Sequence, residues 1–378
     1  KSAIQQVGNL RYVAMKPPLN KFENIHQLGG IRLGTLEERG LIVRTAFFDT
    51  GSGLRFTVAL DRGADITDAT HNGHSLAYLS PNGLVPPSHA YNTGIEWLHG
   101  WAGGLVTTCG PQSVGGPREE DGVKTSLHGH YSNTPASVES VTNPDPRRGA
   151  LDMGLTAIVR VTRMFGPVFE IRRTIRCRLG EPAIAIEDEV TNCADTRVAH
   201  HWLYHCNLGY PLLDAGARFI YRGRAQHWVL PPPKGQSLLQ PIPAAAMERL
   251  KRVPEPLAEH TGGVERGLII DVEPDRQGLC HVGLLNPKLK LGLELSYPAR
   301  ELPRLANWQH YGPRGSYVSG LEPFSGSLLG KALDKDPRAE QYLQPGESRR
   351  YHLTLRVLAT SAEQKQLAGY DGVLLTEK

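Results

Sequence analysis

Apolar and polar residues alternate with a period of two along much of the chain, in short runs rich in Val, Ile, Leu, Thr and Tyr. Alternation of this kind turns one side of a run toward a core and the other toward water, and frequent glycine and proline supply turns between runs, so the pattern is one of strands. It predicts strands over residues 41–47, 55–60 and 66–70, divided by Asp49-Thr50-Gly51-Ser52-Gly53 and Arg62-Gly63-Ala64-Asp65. The signal is strongest over residues 156–165, 168–178 and 183–191, where Gly166-Pro167 and Gly180-Glu181-Pro182 intervene. Connections this short cannot make a parallel crossover, so these neighbours pair antiparallel. Further strands are predicted over residues 200–212, 281–285, 289–296, 317–321 and 349–357.

Between these runs the pattern weakens. Residues 1–40, broken by Pro17-Pro18 and Gly29-Gly30, read as an N-terminal arm or first strands packed on the main body, and residues 80–125 as a turn-rich stretch of short strands or loops. Residues 230–264, with Pro231-Pro232-Pro233, Pro241, Pro243, Pro254 and Pro256, read as an irregular insertion whose one helix candidate is residues 244–252. A terminal turn of helix is predicted over residues 361–367. No period of 20 to 50 residues recurs, which disfavours solenoids and propellers. The expectation is one all-β domain of antiparallel sheets spanning residues 1–378.

Composition narrows the partners. The 378 residues include 41 glycines and 28 prolines, in keeping with many turns, and the net charge is only +4, without a basic run or acidic tail. No nucleic acid or membrane surface is therefore expected, and a small neutral or weakly anionic partner fits better. Cys109, Cys177, Cys193, Cys206 and Cys280 are an odd, scattered set, which argues against a disulfide framework and a thiolate metal site. Reduced thiols in a cytoplasm are expected, because the opening Lys-Ser-Ala-Ile-Gln-Gln lacks a signal-peptide profile and no apolar run approaches the roughly 18 residues of a membrane span. A homodimer is left open.

Three stretches carry candidate chemistry. In Val-Ala-His-His-Trp-Leu-Tyr-His-Cys-Asn-Leu-Gly-Tyr-Pro, residues 198–211, a period of two puts His201, Leu203 and His205 on one strand face and Trp202 and Tyr204 on the other. Imidazole exchanges protons near neutral pH, so the clustered histidines suggest proton transfer. In Leu-His-Gly-His-Tyr-Ser, the glycine after His128 permits a close backbone approach. In Gly-Leu-Glu-Pro-Phe-Ser-Gly, residues 320–326, Glu322 interrupts an apolar strand end and is placed at a sheet rim where a carboxylate can face a pocket.

Taken together these stretches resemble the galactose mutarotase, or aldose 1-epimerase, family over about residues 41–357. The most specific part is residues 169–213, where Glu-Ile-Arg-Arg-Thr-Ile and Ile-Glu-Asp-Glu-Val-Thr-Asn-Cys lead into the histidine strand. The Tyr-His-Cys-Asn-Leu-Gly-Tyr-Pro and Gly-Leu-Glu-Pro signatures look like a bacterial epimerase-like branch. The resemblance implies an antiparallel β supersandwich and an isomerase that interconverts sugar anomers without metal or cofactor. It matches His205 to the general acid, Glu322 to the general base and His128 to a substrate-binding histidine. It also matches Asp271 and Gln309 to polar sugar contacts. Beside the acid, Asn207 is a further candidate substrate contact, and because flat sugar faces pack on aromatics, Trp308, Trp101, Trp202 and Tyr204 are platform candidates.

Two departures touch substrate contacts and leave acid and base in place. The family's Asn-Arg pair before its first histidine has no counterpart in Gly-Trp-Ala-Gly-Gly-Leu-Val-Thr-Thr-Cys-Gly, and Cys206-Asn207 stand where aromatics follow its catalytic histidine. Competing classes are a sugar-binding protein without turnover and a sugar-phosphate epimerase. The latter needs clustered arginines, and Arg62, Arg118, Arg304 and Arg314 are dispersed. Fifteen histidines also raise a cupin-type metal isomerase, but the usual ligand spacing is missing.

Overall fold

A computed structural model describes residues 20–120, 122–230, 239–331 and 333–373. Three large sheets stack around one apolar cluster that runs from Ile31 to Val357. The first sheet has five strands, Gly30–Glu38, Leu41–Asp49, Leu54–Ala59, Asp65–His71 and His74–Ser75, joined as a meander. The eight-stranded outer sheet holds the strongest strands of the sequence, Asp152–Thr162, Val168–Arg178 and Ala183–Asn192, paired antiparallel in that order. In them Ile171, Ile175, Ile184, Ile186 and Val190 point inward at alternate positions, as the period of two requires.

The second eight-stranded sheet carries the chemistry and is called the site sheet below. Its path is Leu239–Pro241, Arg222–Leu230, Glu265–Val272, Arg304–Tyr311, Tyr317–Ser325, Trp202–Leu208 and Thr107–Cys109, with Gly372–Val373 added beside Arg222–Leu230. That last addition is parallel; the other pairings along the path are antiparallel. The fold is therefore the all-β antiparallel sandwich expected from the pattern.

Several boundaries differ for physical reasons. Of the arm or first strands expected over residues 1–40, the strand is present as Gly30–Glu38, which pairs along its whole length with Leu41–Asp49, while residues 1–19 lie outside the described residues. The strand expected over residues 200–212 ends at Leu208, where Gly209 packs against the Tyr78 backbone and Pro211 has no N–H to donate. Five strands of the site sheet were not anticipated: Arg222–Leu230, Leu239–Pro241, Glu265–Val272, Arg304–Tyr311 and Gly372–Val373. Glu265–Val272 and Arg304–Tyr311 are covered on both faces along most of their length, so their sequences do not alternate cleanly, whereas Arg222–Leu230 leaves Arg222, Arg224 and Gln226 exposed. In the expected insertion, Ala244–Leu250 is helical and the proline run at 231–233 lies outside the described residues.

An ion network ties the three sheets together. Arg173 on Val168–Arg178 is fully buried and grips Asp188 on the neighbouring strand through two hydrogen bonds of 2.8 and 2.7 Å. Its third nitrogen reaches Asp65 of the first sheet at 2.7 Å, and it also donates to the Thr108 hydroxyl in the site sheet at 2.7 Å. Tyr204, next to His205, donates its hydroxyl to Asp188 at 2.7 Å. Burial pushes the Asp65 carboxyl up to about 6 against the pull of Arg173. A buried pair adds little net stability over apolar packing, but removing one partner strands the other charge. Asp188→Ala is thus expected to lower unfolding free energy by about 3–5 kcal/mol, read as a lower urea midpoint; an unchanged midpoint would show that the network does not hold the sheets.

Candidate active site

Strand parity builds the site. Trp202–Leu208 and Tyr317–Ser325 pair with Leu203 opposite Phe324 and Asn207 opposite Gly320, a register that places His205 opposite Glu322. On the next strand Ala306 lies opposite Glu322 and Trp308 opposite Gly320, and beyond it Ile269 lies opposite Ala306. One face of the sheet therefore carries Leu203, His205, Glu322, Phe324, Ala306, Trp308 and Ile269. Its apolar members join Trp97, Cys109 and Trp228 in a second hydrophobic cluster, separate from the main core. The opposite face turns Trp202, Tyr204 and Leu321 into the main core.

In this apolar setting His205 and Glu322 meet. His205 Nε2 lies 3.3 Å from Glu322 Oε1, and both side chains are almost wholly buried. Three tryptophan and histidine rings close around them. The Trp101 and Trp308 centroids lie 5.8 and 5.6 Å from that of His205, and the His128 ring lies 5.4 Å from it, edge-on. Trp97 packs against His128 at 4.7 Å and is anchored by donating its indole N–H to Ser132 Oγ at 2.9 Å. Trp101 and Trp308 are partly exposed, so they form the rim, while His205 and Glu322 form the floor.

Local backbone explains how these groups arrive. His128 has φ +57, a left-handed conformation that is rare for a residue with a side chain and concentrated at functional sites. Its N–H donates to Gly115 O and its C=O accepts from Gly110 N, which fixes the ring direction. Gly129, with φ +71, has no room for a side chain: a Cβ would sit 2.5 Å from Gly110 O, so the close approach expected of the His-Gly pair is present. Gly320 has a similar duty toward the carboxylate, since a Cβ there would overlap Glu322 Oε1.

Burial sets the protonation. Desolvation pulls the His205 imidazole down to about 4 and pushes the Glu322 carboxyl well up, the nearby Glu265 carboxylate adding to the latter. His128 is held well below the ordinary imidazole range by burial and then by His205. The two partners titrate together. Burial thus favours the neutral form of each partner, a state with one proton on the pair and no net charge. Three polar atoms in the site are buried without a hydrogen-bond partner: Trp101 Nε1, His205 Nδ1 and Glu322 Oε1. Unpaired buried polar groups are costly, and their concentration marks a place where a polar ligand completes the bonding.

The remaining residues singled out in the sequence fall elsewhere. Asn207 is fully buried below His205, with its amide donating to Gly104 O and His205 O at 3.0 Å each. Gln309 is turned by parity to the reverse of the sheet, where it donates to Leu250 O and Asn307 Oδ1. Asp271 is exposed and bonded to Arg338 at 2.6 Å, in a neighbouring hollow of about 490 Å³ that also contains Arg224 and Arg304. His201 does share the face of His205, but its ring accepts from Ser327 N at 3.1 Å and lines a different cleft of about 1050 Å³ with Arg118, Arg197 and Tyr342. That cleft is larger, but it contains neither His205 nor Glu322. Trp202 and Tyr204 serve the core, so of the four platform candidates Trp101 and Trp308 reach the site. Trp97, not anticipated, has a sequence signal in Trp97-x-x-x-Trp101 beside the glycine-rich loops. Among the described residues no cluster of three or more His, Cys, Asp or Glu is arranged to hold a metal ion. No described helix is long and apolar enough to cross a membrane.

The architecture is that of galactose mutarotase-like β-sandwich proteins. The "putative aldose 1-epimerase" of Klebsiella pneumoniae superposes with a TM-score of 0.75 at 22% identity, over 93% of this chain and 91% of that one. A galactose mutarotase-like protein of Clostridium acetobutylicum gives 0.62 at 12% identity, over 87% and 99%. The galactose 1-epimerase of Lactobacillus acidophilus gives 0.55 at 11%, over 87% and 98%. At these identities the likeness is one of fold. The chain belongs to the family described as domain of unknown function DUF4432, whose model matches residues 40–357. No curated protein is significantly similar to it.

The protonation argument is open to direct test. The His205 ring is expected to take up its second proton only near pH 4, against about 6.5 for a free histidine. Imidazole ¹⁵N shifts followed from pH 8 to 3 would show this; a midpoint near 6.5 would contradict a dry site.

Proposed function

We propose that the protein is an isomerase of the aldose 1-epimerase type, interconverting the α and β anomers of a free sugar with His205 as general acid and Glu322 as general base. The observation that carries the reading is the buried imidazole–carboxylate pair, 3.3 Å apart, under an aromatic rim with unpartnered polar atoms beside it. The printed names of the structural neighbours, aldose 1-epimerase and galactose 1-epimerase among them, support the same class.

The chemistry needs only what this pair offers. A cyclic sugar carries the C1 hydroxyl and the ring oxygen on one carbon, so a donor and an acceptor placed side by side address both. The carboxylate removes the C1 hydroxyl proton as the imidazolium protonates the ring oxygen; the bond from C1 to the ring oxygen breaks and C1 becomes a carbonyl. Rotation about C1–C2 and the reverse transfers close the ring on the other face. Burial favours neutral imidazole and carboxylic acid at rest, and the reactive tautomer arises by passing the single proton from Glu322 to His205. Net charge does not change, so the dry site permits it, and the entering sugar hydroxyls hydrogen-bond the charges. Rotation of the Glu322 side chain admits the two sugar oxygens between the groups. Trp101 and Trp308 provide apolar surface for the sugar's C–H face, and His128 is the nearest further imidazole. Asp271 and Gln309 are left outside the contact set because their carboxylate and amide groups are engaged elsewhere, and Asn207 because it is fully buried with its amide N–H groups bonded to backbone oxygens.

Positioned acids and bases typically supply about 10²–10⁴-fold each. His205→Asn and Glu322→Gln are each expected to abolish measurable anomerisation, in exchange NMR or polarimetry on a panel of aldoses, while leaving the urea midpoint close to wild type. Wild-type turnover in either variant would remove that residue from the mechanism. The rate is also expected to follow a bell in pH. It falls near pH 4, where a second proton on the pair leaves no base, and falls again at a pH well above the usual carboxylate range, where Glu322 gives up the pair's last proton.

A further inference from the structure

Glu265 stands next to the site without touching the His205–Glu322 pair. It opens the strand Glu265–Val272, whose Gly267 lies opposite Trp308. Its Oε2 accepts the Trp308 indole N–H at 2.6 Å, a short bond to a carboxylate that is itself half-buried. The indole so held is the ring that packs 5.6 Å from His205 and 6.1 Å from Trp101. Behind it Gly267 leaves no space for a side chain, because the Trp228 ring covers that position. Trp308 is therefore confined by a ring on one side and tethered at its nitrogen.

We propose that Glu265 is a positioning residue of the active site: its carboxylate fixes the Trp308 indole as a wall of the His205–Glu322 gap and keeps a negative charge on the far side of that wall. The role presupposes the acid–base centre described above. A neutral acceptor would hold the indole equally well; the charge does something further. It opposes ionisation of Glu322 and so helps retain the pair's proton. The titratable groups around Glu322 are His205 on the same face, Cys109 from Thr107–Cys109, Cys206 on the reverse of the histidine strand, and Glu265 across Trp308. His128 stands behind His205. Burial pushes the Glu265 carboxyl up from its ordinary value, against the Trp308 hydrogen bond and then the nearby His310, which both favour its charged form. Among these, Glu265 is the carboxylate, so it supplies the like charge.

Two variants of the full chain separate tether from charge. Glu265→Gln keeps an acceptor for the indole and removes the charge; Glu265→Ala removes both. In Glu265→Gln the side-chain ¹³C titration of Glu322 is expected to move down by about one pH unit, with the alkaline limb of the rate profile moving alike and the Trp308 indole N–H resonance staying near its wild-type position. In Glu265→Ala that resonance is expected to shift upfield as its hydrogen bond is lost, and KM to rise several-fold. A Glu322 titration unmoved in Glu265→Gln, or an indole resonance unmoved in Glu265→Ala, overturns the proposal. If the wild-type protein anomerises no sugar yet both resonances behave as stated, the sugar chemistry fails and the positioning of Trp308 and Glu322 stands.

Discussion

Arg173 carries a charge into the space between three sheets, and the packing of the molecule follows from how that charge is answered. Its guanidinium meets Asp188 within the outer sheet, Asp65 from the first sheet and Thr108 from the site sheet, while the face of its plane rests 4.9 Å from the Tyr131 ring. Apolar surfaces alone would let the layers slide, since dispersion and burial have little direction. A planar donor with partners on separate layers admits one register. Tyr204 extends the constraint into the histidine strand through Asp188, and the next residue on that strand is His205.

The site sheet then does something unusual with its two faces. Toward the main core the neighbouring strands present Asn307, Gln309 and Ser319, which satisfy one another: Asn307 donates to Ser319 Oγ at 3.1 Å and Gln309 to Asn307 Oδ1 at 2.9 Å. Toward the candidate site the same strands present Ala306, Phe324 and Trp308. Polar groups behind the sheet thus serve its cohesion, and in front Leu203, Ala306, Phe324 and Trp308 surround His205 and Glu322 with apolar surface. That contrast raises the cost of charge at His205 and Glu322. The aromatic rim adds shape without adding competing donors.

Much of this was readable in the chain, unevenly. The strand at Val168–Arg178 was legible to the residue, because a one-sided strand between turn signals writes a clean alternation. The parity of His201, Leu203 and His205 against Trp202 and Tyr204 was legible for the same reason. Glu265–Val272 and Arg304–Tyr311 were not, since strands covered on both faces lose the alternation that reveals them. Gln309 illustrates the cost: a glutamine beside a tryptophan reads as a ligand contact, yet parity sends it to the reverse face. Arg173 and Asp188 could have been noticed as charges at inward positions of otherwise apolar stripes.

What the sequence determined by itself was local: which runs extend, where they turn, which neighbours pair antiparallel, and which side chains share a face. These follow from sterics and from a period of two, and they need no knowledge of what lies across the core. The tertiary structure alone decided which faces meet. It brought Glu322 to His205 from more than a hundred residues away, sent Asp271 to a separate hollow, and closed Trp101 and Trp308 over the pair. The register between distant strands is fixed by burial and buried hydrogen bonds summed over the whole fold, and no short stretch of chain contains that sum.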